Sequence, residues 1–166
     1  SPHKSANGSV AATNGPAQEM AASWKGKVGG GSLLVVGSYT VQEGADMSSG
    51  NDLAAWAAGT IFEFGPYSVA AGYVRNDDRR ADNGEYAWDA SLGYNGGKWE
   101  VALTYMASAT TDGADEDYHQ WWLGGGYNLG GGLSATAGLY LWDMDAATAA
   151  NDNDGTTLVV GINAKF

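Results

Sequence analysis

Hydrophobicity alternates along this chain with a period of two residues, and that period decides what it can fold into. Over 99–107 the apolar Trp99, Val101, Leu103 and Tyr105 fall on one side and Glu100, Ala102 and Thr104 on the other. A helix, with about 3.6 residues per turn, would scatter them, whereas a strand sends alternate side chains to opposite faces. Tyr86, Trp88, Ala90, Leu92 and Tyr94 repeat the pattern against Ala87, Asp89, Ser91, Gly93 and Asn95; Leu158, Val160, Ile162, Ala164 and Phe166 repeat it against Thr157, Val159, Gly161, Asn163 and Lys165. The same reading of the remainder predicts about nine strands, over 18–25, 32–42, 53–64, 67–76, 85–95, 98–108, 117–128, 132–143 and 156–166. Most approach the roughly 9–11 residues that cross a bilayer at a tilt. Short Gly-rich turns at 25–31, 65–66, 95–97 and 128–131 alternate with longer acidic loops at 43–52, 76–84, 109–116 and 144–155.

A soluble sandwich also has period-two strands, but it buries its apolar face against a second sheet, and its strands average about five or six residues. Here the strands are longer and the rings gather at the ends of the apolar face, while the other face reads as small or polar. That combination predicts an all-β, antiparallel transmembrane barrel with lipid outside, water inside and an aromatic girdle at each interface. No run of about 18 apolar residues offers a helical span instead. With no cysteine among 166 residues, disulfides, cysteine zinc sites and thiol nucleophiles are excluded. A net charge of -11 argues against a nucleic-acid partner held through phosphates. No signal peptide is expected in the sequence, since its first residues lack a basic segment followed by an apolar stretch.

The charge is unevenly placed. Most of the 19 acidic residues fall in or beside the long loops, among them Glu43, Asp46, Asp52, Asp77, Asp78, Asp82, Asp112, Asp115, Glu116, Asp145, Asp152 and Asp154, while Lys25, Lys27, Lys98 and Lys165 lie at the short-turn end. Short turns of such barrels face the periplasm and long loops the exterior.

The strand Leu158–Phe166 with its terminal Phe, the hairpin Ala87–Ala107 with its Leu92-Gly93-Tyr94 centre, and Leu133–Asp143 followed by an Asp/Asn loop together resemble the C-terminal half of a Gram-negative general diffusion porin of the alphaproteobacterial type. The resemblance runs from about Glu19 onward. It implies a sixteen-stranded homotrimeric barrel in the bacterial outer membrane, in contact with lipid and lipopolysaccharide, with Phe166 as the signal read by the barrel assembly machinery. Bacterial single-chain barrels have even strand numbers and both termini in the periplasm. Nine strands ending downward at Phe166 would leave 1–17 outside as the remnant of an external loop. The expectation is therefore one barrel segment, 18–166 forming strands, incomplete at its N-terminus, with the missing N-terminal half on the same or a separate chain. The resemblance also implies that the constriction loop lies in that half.

Alternation predicts Glu19, Glu63, Asp89, Glu100, Thr104, Ser134, Thr136, Asn163 and Lys165 on the lumen side. No catalysis and no organic cofactor are expected. His119 with Asp117 and Ser108 suggests a hydrolase triad, but no nucleophile elbow accompanies it, and an interfacial histidine beside Trp121 is the favoured reading. The run 150–155 lacks the ligands of an EF-hand. Asp115, Glu116, Asp152 and Asp154 are candidates for weak Ca²⁺ or Mg²⁺ binding between loops, the alternative being a solvated mouth. Glycine clusters at 29–31, 124–126 and 130–132 match no phosphate-binding spacing and read as turns or close approaches, Gly124 and Gly126 making room in the lumen. Ala55, Ala57, Ala58 and Gly59 are a candidate small face for subunit packing. The function these features predict is passive diffusion of small hydrophilic solutes and ions; the alternative is a small structural or adhesive barrel with a filled interior.

Overall fold

A computed structural model describes residues 17–46, 51–78, 83–110, 116–146, 148 and 151–165. They form nine strands: β1 (Ala17–Val28), β2 (Gly31–Asp46), β3 (Asn51–Phe64), β4 (Tyr67–Asp78), β5 (Asn83–Asn95), β6 (Trp99–Thr110), β7 (Asp117–Gly130), β8 (Leu133–Asp145) and β9 (Asn153–Ala164). Each pairs antiparallel with its sequence neighbours in one sheet ordered β1 to β9, and β1 does not meet β9. The fold is the expected antiparallel sheet, open within this segment.

The short connections are made by turn chemistry. Gly29 and Gly30 both have positive φ (55° and 84°) between the paired Val28 and Gly31, as a two-residue hairpin of the right-handed twist requires. Asn95 and Asn128 each accept a hydrogen bond from the backbone two residues on, Gly97 N and Gly130 N, both at 2.9 Å.

The strands run further than the alternation suggested, chiefly toward the long loops: β2 reaches Asp46, β4 reaches Asp78 and β9 starts at Asn153. Above the hydrocarbon a ladder needs no apolar face, so pairing continues through residues whose hydropathy carries no period. At the other end β9 stops at Ala164, leaving Lys165 beyond the strand, although its N–H still donates to Gly132 O at 2.9 Å.

The hydrophobic residues have no interior to fill. Among the described residues only Ala54 and Ala107 are buried apolar side chains, whereas Leu158, Val160 and Ile162 are 70%, 73% and 76% exposed. A sandwich of this size would bury a core between two sheets; a single layer with its apolar side bare is complete only against another apolar phase.

Candidate functional site

The registers sort every strand into two faces. On one, the row Leu33, Phe62, Val69, Leu92, Leu103, Leu123, Leu139 and Leu158 crosses eight strands without a polar side chain. Ring belts flank this row. Toward the short turns Phe64, Tyr67, Tyr94 and Trp99 meet in succession with ring centroids 4.7–5.5 Å apart. Toward the long loops Trp56 meets Tyr73 at 4.8 Å, Trp88 meets Tyr105 at 5.1 Å and Tyr105 meets Trp121 at 4.7 Å. On β4, β5 and β6 the two belts are six residues apart, Tyr67 to Tyr73, Trp88 to Tyr94 and Trp99 to Tyr105, which is about 20 Å along a strand. Amphipathic rings at this spacing mark the edges of a hydrocarbon slab.

The opposite face is concave. A 900 Å³ hollow on it spans from Glu63 on β3 to Val159 on β9, seven consecutive strands of one sheet. Glu19, Glu63, Asp89, Glu100, Thr104, Ser134, Thr136 and Asn163 all lie on this face, and Lys165 continues its parity just past β9. Charge is uneven along the wall. Glu63, Glu100, Lys25 and Lys27 gather toward the short turns, while Asp89 stands near mid-height on β5.

Alternation also brings out groups that the sequence reading missed. Trp122, Tyr140 and Trp142 share the concave face, with Trp122 and Tyr140 stacked at 6.0 Å. Trp121 and Trp122 are neighbours, so strand geometry sends them to opposite sides; that adjacency was the available signal. The Trp122 indole lies over Gly124 and Gly138, where a Cβ at 138 would come within 2.9 Å of Nε1, and among the described residues that N–H has no partner. Gly124 therefore accommodates a ring, a narrower role than opening the lumen. Nor is this face uniformly small or polar: Leu34, Val36, Leu53, Ile61 and Val74 put large apolar side chains on its β2–β4 portion, beside Glu63.

The small segment of β3 is divided by the same rule. Ala58 lies on the outer face opposite Gly37, whereas Ala55, Ala57 and Gly59 lie on the concave face. His119 is outward, its Nδ1 2.7 Å from Tyr105 Oη. Asp117 shares that outer face, but Ser108 pairs with Tyr118 on the concave side, so no triad assembles. Among the proposed loop ligands, Asp152 accepts a hydrogen bond from Ala146 N at 3.0 Å and Asp154 sits opposite Asp143 on the outer face. No three acidic or histidine side chains converge in a metal-holding group among the described residues. Asp115 and Phe166 lie outside the described residues.

Comparison with known proteins adds one finding: the family model described as Gram-negative porin matches residues 2–154. No curated protein and no solved structure matches.

Proposed function

The chain belongs to the Gram-negative porin family and resides in the bacterial outer membrane, and on that premise we propose that it walls a water-filled channel for passive diffusion of small hydrophilic solutes and ions. The carrying observation is the division of one sheet into an apolar outer band between two ring belts and a concave face bearing carboxylates, hydroxyls and a hollow of 900 Å³. A charged wall in contact with water stays solvated and biases local ion concentration, while the aperture sets the size limit. No chemistry is needed from the protein, and none is proposed.

The open sheet supports a wide barrel over a small filled one. Edge strands β1 and β9 run in the same direction, as the first and ninth of an antiparallel series must. Unpaired backbone cannot face hydrocarbon, so each edge needs a further paired strand, which in bacterial barrels is antiparallel. Two copies of this sheet would meet parallel; an odd number of further strands closes the ring, and seven would give the sixteen of the porins the chain resembles. Homotrimeric assembly, contact with lipopolysaccharide and delivery by the barrel assembly machinery through Phe166 are parts of the same proposal. So is weak association of Ca²⁺ or Mg²⁺ with the acidic loops, read as a lower melting temperature on chelation.

Planar-bilayer recording of the protein purified in its assembled form tests the channel, with a liposome-swelling series of sized sugars to bound the aperture. Discrete conductance steps and size-dependent swelling are expected. A folded barrel that neither conducts nor admits the smallest sugar contradicts the proposal.

A further inference from the structure

We infer that the concave wall between β1 and β6 holds a subsite for small organic cations with an apolar body, centred on Asp89; the inference rests on the channel reading above. Asp89 lies on the concave face near mid-height, with Gly72 and Met106 as its cross-strand neighbours. A Cβ at Gly72 would lie 2.6 Å from Asp89 Oδ1, so the carboxylate leans over that glycine, toward β4 and β3. Beyond Gly72 the same row continues through Gly59 to Val36. This ground is a separate cavity of 560 Å³ in whose lining Asp89 is the only charged side chain, the remainder being mostly Ala, Val, Gly and Met. Among the described residues nothing hydrogen-bonds or ion-pairs with Asp89. Lys25, on the same face of β1 two residues below Ser23, does not line this cavity.

Two forces act at such a place on different parts of a solute. A lone carboxylate beside water attracts any cation, but only modestly at high dielectric. An apolar floor adds nothing for a fully hydrated K⁺, whereas it removes water from the hydrocarbon part of an alkylammonium, a gain of about 0.8 kcal/mol for each CH₂ fully buried. An ammonium head over Asp89 with an alkyl or aryl body on Val36, Val74 and Met106 uses both. Neutral polar solutes use neither.

The test is current block in planar bilayers by the assembled protein in KCl, comparing butyltrimethylammonium with tetramethylammonium. Block by the butyl compound is expected at a concentration at least fivefold lower. Asp89→Asn, isosteric on a solvated face, should raise that concentration several-fold in channels that still conduct KCl. Gly72→Ala, which displaces the carboxylate without changing charge, should act in the same direction, and Val74→Ser should narrow the gap between the two ammonium ions. Channels that conduct KCl but are blocked equally by both ions, or whose block is indifferent to Asp89→Asn and Gly72→Ala, overturn the subsite and leave the channel standing. Absence of any KCl conductance overturns the channel reading itself.

Discussion

Tyr105 on β6 and His119 on β7 meet across the outer face, Oη to Nδ1 at 2.7 Å, with the rings stacked at a centroid separation of 6.1 Å. Trp121, paired with Tyr105 across the two strands, lies 4.7 Å from the same ring. The three rings tie two strands together at the level of the outer interface, where one part of each ring is in hydrocarbon and its polar atom needs a partner. Tyr105→Phe removes the hydroxyl and keeps the ring. A loss of about 0.5–1.5 kcal/mol is expected in urea-refolding equilibria in bilayers, and His119→Leu should add little to it in the double variant. Additive losses would show that the two groups act independently.

Trp122 over Gly124 makes a second sharp case. A methyl at 124 would enter the indole ring, so Gly124→Ala should cost about 1–3 kcal/mol as overpacking of a fitted contact. Replacing the ring by Trp122→Leu in the Gly124→Ala background should recover most of that loss, giving strong coupling in a double-mutant cycle. Equal destabilisation with and without the indole would remove the contact from the account.

Neighbouring residues of β5 separate the two solvents. Leu92 lies in the all-apolar outer row, between Val69 and Leu103, while Ser91 lies between Ala70 and Thr104 on the concave face. Leu92→Lys should destabilise the folded barrel by about 2–4 kcal/mol, the cost of a charge near the bilayer midplane. Ser91→Lys should fold nearly as well as the parent and shift the zero-current potential in a KCl gradient toward anions. The reverse pattern would invert the assignment of faces.

How much of this was legible from residues alone differs from strand to strand. On β5, β6 and β9 the alternation is clean, and the faces read from it agree with the registers. On β2 it is not: Leu33-Leu34-Val35-Val36 is a continuous apolar run, so a period of two leaves no mark and the apolar inner wall went unseen. Strand ends such as Asn153 and Asp154 look like loop in the sequence because pairing above the membrane carries no hydropathy signal. The Trp122–Tyr140 pair depends on which residues the β7–β8 register sets opposite each other, Trp122 against Tyr140. Register is set jointly by the hydrophobic patterns of both strands and the turn between them, so no single segment encodes it.

The chain has no cysteine, so introduced thiols can report on each face without background. Thr104 and Leu103 are adjacent on β6, one on the concave face and one in the outer band. The most direct measurement is single-channel current through the assembled protein carrying Thr104→Cys or Leu103→Cys, before and after a charged, membrane-impermeant thiol reagent. The expected result is a stepwise, persistent change of current with Thr104→Cys and none with Leu103→Cys. A current altered only in Leu103→Cys, or equal reactivity at both positions, would contradict a water-filled channel lined by the concave face.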